Sequence, residues 1–331
     1  MLQTLPLVLF IVMSELSIGA FTVLFVLDWR NEVKRSFLIT YGLIYIVLTG
    51  LTYLFQQNFS TPGLLNSFPQ LDKAWTGYES LPLLLFLLLM LPYNLFLWLD
   101  KRAGVDGQGT KEDGQTTKVE GQKRSSPTRS LRLISGGLTV LAGLTTLFVM
   151  AMIYRPIASS NIGGAITVAS FFAAALALGG VMTAMWLGHW YLVTPALSEK
   201  PLQFATTLVL LGVLAQVIFA FTGTPATAAH SQGNSATPTA TATTAVSPAT
   251  PTSNPQAKPA NVPTITPLST DAIGWLRIVV AFVIPLILLT FILKLIRDRS
   301  FQSATGMLYL VVVLTLAGEA MARGLFLIGL Q

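Results

Sequence analysis

Leu316-Ala-Gly-Glu319-Ala-Met-Ala-Arg323-Gly-Leu-Phe326 sets a carboxylate and a guanidinium four residues apart in a run otherwise apolar enough to cross a bilayer. An ionised side chain at the centre of a membrane helix costs roughly 2.5–3.5 kcal/mol on insertion scales, so such residues are rare and have partners. Glu before Arg at this spacing puts both on one helical face, in the favourable order. The stretch predicts a membrane helix with a functional or locking face, and the other intramembrane charges read as its partners.

The composition agrees. The 331 residues are 53% hydrophobic and 10% charged, with mean hydropathy +0.66, which is a polytopic membrane protein and not a soluble domain with a large core. Cysteine is absent, so the chain supplies no disulfide, thiolate zinc site or iron–sulfur cluster. The two histidines are His189 and His230, and the latter lies in a low-complexity segment, which argues against a bis-histidine haem. No nucleotide loop, nucleophile elbow or metal-ligand spacing is present, disfavouring a soluble-type hydrolase or ATPase. The net charge of +6 reads as loop topology and not as nucleic-acid binding.

A bilayer core takes about 20 helical residues. Eight segments qualify, near 5–27, 37–55, 81–99, 133–154, 163–187, 202–222, 272–296 and 305–329. The first has no basic n-region and contains Glu15, so a cleavable signal peptide is not expected. Fifteen Lys and Arg residues fall in the connections on one side, among them Arg30, Lys34, Arg35, the eight between the third and fourth segments, Lys200, Lys294, Arg297 and Arg299. The other side holds Lys73, Arg155 and Lys258. The positive-inside bias therefore places both termini away from the cytoplasm, in a cytoplasmic (inner) membrane.

Two connections are long. Residues 103–130, rich in Gly, Gln, Lys and Glu, read as a disordered cytoplasmic loop. Residues 224–270, dominated by Ala, Thr, Pro and Ser, read as an extracytoplasmic linker without a core. The chain is thus a six-helix segment (1–223), a linker (224–270) and a two-helix segment (271–331).

Counting from the outer ends at about 1.5 Å per residue, Glu15, Glu319, Arg277 and Arg323 fall in the outer half of the bilayer at similar depth, and their charges sum to zero. Gly19 lies one turn from Glu15, while Gly318/Ala322 and Ala320/Gly324 form small-xxx-small pairs that favour close helix approach. Pro285, below Arg277, predicts a kink. Two readings stay open. One is a neutral ion network that locks the first, seventh and eighth segments. The other is a polar pocket near the outer surface, with Glu15 and Glu319 as proton acceptors and Arg277 and Arg323 holding ligand oxygens. Whether Glu15 and Glu319 meet is not decided by hydropathy. His189, in Trp186-Leu-Gly-His-Trp190-Tyr191, is either part of an interfacial aromatic belt or a proton-entry or quinone-ring contact on the inner side.

The last two segments resemble the dimethyl sulfoxide reductase membrane-anchor family. Its terminal helix carries a Gly-Glu pair followed by Gly-Arg and an aromatic, as in Gly318-Glu319 to Phe326. Its preceding helix carries a Trp-Arg pair, here Trp275-Leu-Arg277 with one leucine inserted. Leu9-Phe-Ile-Val-Met-Ser-Glu-Leu-Ser-Ile-Gly19 and Met152-Ile-Tyr154-Arg are similar in texture. The resemblance implies an eight-helix anchor that binds and oxidises a quinol, menaquinol, at the outer face. It implies partners too, an iron–sulfur electron-transfer subunit feeding a molybdenum catalytic subunit, and no haem or cluster in this chain. It carries over to Glu319, Arg323 and Arg277; Glu15 rests on depth alone. The chain departs from the family's short His- and Pro-containing stretch after the second helix, having Phe55-Gln-Gln-Asn-Phe-Ser-Thr-Pro62 there. The alternatives are a non-catalytic membrane scaffold or assembly protein and a proton-coupled small-solute carrier.

Overall fold

The computed structural model describes residues 4–100, 127–158, 160–194, 198–222 and 270–328, all helices and their short connections, with no strand among them. The elements are α1 (Leu5–Arg30), α2 (Arg35–Phe59), the short α3 (Pro62–Asn66) and α4 (Lys73–Thr76), α5 (Ser80–Leu99), α6 (Pro127–Tyr154), α7 (Asn161–Val193), α8 (Lys200–Thr222), α9 (Thr270–Arg277), α10 (Ile284–Arg297) and α11 (Phe301–Ile328). Eight spans are long and apolar enough to cross a membrane, α9 and α10 counting as one. This is a multi-pass membrane protein. An even number of crossings brings the start of α1 and the end of α11 to the same end of the bundle, here called the terminal end. The expected spans are recovered within a few residues, although α6 begins six residues before position 133, inside the stretch read as loop. Most of that loop and of the 224–270 linker lies outside the described residues.

Backbone groups in hydrocarbon must be satisfied within the segment, so apolar runs of this length are helical. What differs is where they sit. In the most apolar stretch of α1, 83% of residues are buried inside the protein, against 28% in α8. α1 is therefore the central helix, touching α2, α6, α7 and α11, with α5 beyond it packed on α2 and α6, and with α8 and α10 on the far side. Small residues permit the closest approach. A Cβ on Gly19 would fall 1.8 Å from the Ala175 carbonyl oxygen, and one on Gly179 2.0 Å from the Gly19 backbone, so α1 and α7 meet backbone to backbone. A Cβ on Gly318 would meet Ala281 at 2.3 Å, fixing α11 against the seventh span. The expected Ala320/Gly324 contact is not made: Gly324 has no atom within 4 Å of its missing Cβ.

Pro285 acts through a change of register. Its ring excludes a normal i−4 bond, and the residues before it, Ile278–Val283, form a π turn in which the Ile284 N–H reaches back five residues to the Val279 carbonyl. The seventh span is widened one turn beyond Arg277.

At the terminal end, α3 and α4 fold the 60–79 connection over the bundle. Thr61 Oγ1 accepts from Leu64 N (3.4 Å), and Asp72 Oδ1 accepts from Ala74 N (3.1 Å), capping the two short helices. Leu65, Phe68 and Leu71 are buried beneath it, and Asp72 N donates to the Ile153 carbonyl at 3.0 Å. The cap delivers Glu79, fully buried, to the start of α5. At the other end Arg35 donates from Nε to the Leu97 carbonyl (3.2 Å) and from Nη2 to that of Trp98, satisfying the C-terminus of α5.

Candidate functional site

Three of the four predicted intramembrane charges meet. Arg323 donates from Nη2 to Glu15 Oε1, and its Nε stands 2.8 Å from Glu319 Oε1. One guanidinium on α11 therefore bridges a carboxylate one turn earlier on its own helix and one on the central helix, 308 residues away in sequence. All three side chains are buried. The second oxygen of Glu319 accepts from Gln216 Nε2 of α8 at 2.7 Å, whereas Oε2 of Glu15 has no hydrogen-bond partner. One local positive charge faces two carboxylates.

The cluster has an aromatic wall. The Arg323 guanidinium lies over the Phe171 ring of α7, 4.0 Å from its centroid. Phe171 in turn stacks on Tyr154 of α6, with centroids 6.0 Å apart and planes at 15°, and Phe326 meets Tyr154 edge-on at 6.3 Å. The Tyr154 hydroxyl is buried and unpartnered. Glu79 lies within electrostatic range of Tyr154 and beside Gln56. Glu79 faces the Gln56 amide in a loose contact that falls short of full hydrogen-bond geometry, and the Ser60 hydroxyl completes no hydrogen bond. Buried polar groups are nearly always satisfied, so these atoms from α2, α5 and α6 form a buried polar patch with hydrogen-bonding capacity to spare.

Two predicted residues stand elsewhere. Arg277 makes no ion pair with the cluster. It is half-buried at the junction of α9 and the π turn, its Nε is unpartnered, and its guanidinium lies 5.4 Å from the Phe282 ring centroid. It forms part of the lining of an open cleft of about 410 Å³. The four charges expected at one depth do not all meet: Arg277, just before the π turn, lines this cleft together with Ala220 and Phe221 of α8. His189 is exposed on α7. It is 18 residues from Phe171, about 27 Å along the helix, and cannot reach this cluster.

Sequence reasoning missed Gln216, Phe171, Glu79, Gln56 and Ser60. Gln216 had a usable signal, a lone amide inside an apolar span. Glu79 had little, because it sits at a span's edge and reads as a loop carboxylate. A second buried cluster at the other end was also missed. Arg132 of α6, counted above among loop charges, is 1% exposed, with Nε 3.2 Å from Asp28 Oδ2 and Nη1 2.9 Å from Asp100 Oδ2. Tyr93 Oη donates to Asp28 Oδ2 at 3.0 Å. Among the described residues no group of His, Asp and Glu is placed to hold a metal ion.

Fold and site together define an all-helical, eight-span membrane protein with a charged, aromatic-walled cluster sealed inside one end of its bundle. The family model of the DMSO reductase anchor subunit (DmsC) matches residues 127–330, more than half of the chain, and the protein belongs to that family. No curated protein and no solved structure matches it.

Proposed function

We propose that this chain is the membrane anchor of a DMSO reductase-type complex and oxidises a quinol, menaquinol, at the Glu15–Arg323–Glu319 cluster. The observation that carries the reading is the cluster itself: a buried arginine shared by two carboxylates, beside an aromatic wall and a set of unpartnered polar atoms. Packing alone would not require them, since small residues already bring α1, α7 and α11 together. The charge bias of the connections puts the terminal end outside the cytoplasmic membrane, so the cluster lies in the outer half of the bilayer.

Oxidation of a quinol to a quinone releases two protons and two electrons. Glu15 and Glu319 are placed to accept the protons from the ring hydroxyls, Glu15 through its free Oε2. Arg323 holds both carboxylates in register, and Gln216 orients Glu319 by donating to its second oxygen. The buried polar groups of Tyr154 and Glu79 lie beyond the aromatic wall and have hydrogen-bonding capacity for a ring oxygen. The electrons pass to an iron–sulfur partner subunit and from it to a molybdenum catalytic subunit; the chain contributes no thiolate to that transfer.

The test is Glu319→Gln, which keeps shape and hydrogen-bonding capacity but removes the proton acceptor. Quinol-dependent turnover is expected to fall by about 10²–10⁴-fold, the usual worth of a positioned base, with the protein still present in membranes. The companion measurement is quinone extracted from the purified protein together with its co-purifying subunits. Full activity in the variant, or purified protein that carries neither quinone nor partners, refutes the proposal.

A further inference from the structure

A ligand that lives in the bilayer must enter a cluster buried among five helices, and one cleft among the described residues adjoins it. The open cleft of about 410 Å³ lies between the end of α8 and the junction of α9 with the π turn. That size falls within the roughly 300–1,000 Å³ of small-molecule sites. Its lining includes two exposed aromatic side chains, Phe221 (69% exposed) and Trp275 (71%). Ala220 and Gly274 leave its floor free of bulk. Inside stands Arg277, with Phe282 behind it and an Nε–H that no described group accepts.

The cleft leads somewhere. Ala220 is one helical turn from Gln216 on α8, so both lie on one face, and Gln216 bonds to Glu319 of the cluster. Arg277 is within electrostatic range of Glu319. On the opposite side the way is closed, because Gly318 seats α11 directly on Ala281. The π turn, which sets Arg277 at the cleft, is a register change of the kind that recurs at functional sites.

We infer that this cleft is the lateral portal of the site, and that Arg277 is the waypoint that receives a ring oxygen of the incoming quinol. The inference rests on the quinol reading above and adds the route and the order of contacts. An aromatic ring with two oxygens and an isoprenoid tail fits the chemistry. The ring slides between Phe221, Trp275 and Phe282, an oxygen accepts from Arg277 Nε, and the tail stays in the outer leaflet. The ring then advances past Gln216 to Glu319.

The experiment is photolabelling of the purified protein, with its partner subunits, in lipid nanodiscs by an azido-naphthoquinone, followed by peptide mapping. Saturable labelling of the segments around residues 216–222 and 274–282 is expected, competed by unlabelled naphthoquinone. In parallel, Ala220→Trp adds bulk to the cleft lining and replaces no residue of the cluster. It is expected to raise the KM for quinol about tenfold while kcat changes by less than about twofold, the signature of impaired access. Saturable labelling confined to other helices, with Ala220→Trp kinetics unchanged, overturns the portal and leaves the quinol site standing. No saturable labelling of any peptide overturns the quinol reading and the portal with it. Because labelling uses the unaltered chain, the result does not depend on the variant folding.

Discussion

Two buried arginines sit at different levels of this bundle, and each ties α1 to its neighbours through two carboxylates. Arg323 holds Glu15 and Glu319; Arg132 holds Asp28 and Asp100. Glu15 and Asp28 are 13 residues apart on α1, about 20 Å. The difference lies in what surrounds them. The Arg132 cluster is joined by a tyrosine hydroxyl that donates to Asp28 Oδ2, leaves Asp28 Oδ1 unpartnered, and has no aromatic ring stacked on its guanidinium among the described residues. The Arg323 cluster lies against the Phe171 ring and near an unpartnered Tyr154 hydroxyl, and its partner Gln216 stands one turn from Ala220 in an open cleft. One arrangement reads as a lock, the other as a lock with an opening. The two clusters share the same ion-pair chemistry, so any difference in role between them has to come from their surroundings.

The comparison can be broken by removing the arginines. Arg323→Ala and Arg132→Ala each strand two buried carboxylates and are each expected to destabilise the protein by about 3–5 kcal/mol, read from thermal unfolding in detergent. Replacing a whole network separates them. Asp28→Leu with Asp100→Leu and Arg132→Met is expected to restore stability and keep quinol turnover, since a buried ion network can be exchanged for packed apolar side chains. Glu15→Gln with Glu319→Gln and Arg323→Met is expected to restore stability and leave turnover abolished. Equal behaviour of the two sets would mean that the clusters do not differ in role.

A smaller change probes the Arg132 cluster alone. Tyr93→Phe removes the hydroxyl that donates to Asp28 and is expected to cost about 1–3 kcal/mol, with quinol turnover per folded molecule unaltered. Lost turnover at unchanged stability would place the Asp28 cluster in the reaction.

What the sequence disclosed follows the same division. Apolar runs of bilayer length located all eight spans, because solvent and backbone hydrogen bonding leave a helix no alternative there. Glu15, Glu319 and Arg323 stood out because charge in such runs is rare, and their common depth was computable from helix rise. Their contact was not, since helices of equal hydropathy can be arranged in many orders. Asp28, Arg132 and Glu79 escaped notice because they lie near span ends, where a charge is unremarkable until neighbouring elements bury it. Arg277 was grouped with the other three charges by depth, yet it makes no ion pair with them and lines a cleft beside α8, just before a π turn that the sequence did not announce. The match to the anchor family covers α6 to α11, while Glu15 and Glu79 lie before it, so the site combines a recognisable half and an unrecognised one.

The smallest expected effect concerns His189, which composition made conspicuous as one of two histidines. Within α7 it is the exposed neighbour of buried Gly188, whose Cβ position would crowd Thr305 Oγ1 at 2.7 Å, so the helix face that packs is not the face that carries the imidazole. With about 27 Å of helix between it and the level of Phe171, no side-chain rotation brings it to Arg323. His189→Ala should therefore change stability by no more than about 0.5 kcal/mol, as an exposed substitution without packing partners does, and leave the pH profile of quinol turnover unmoved. A shifted pH profile at normal protein levels would require a proton path along α7 from the opposite end, and would join the two ends of the bundle that the arginine clusters otherwise keep apart.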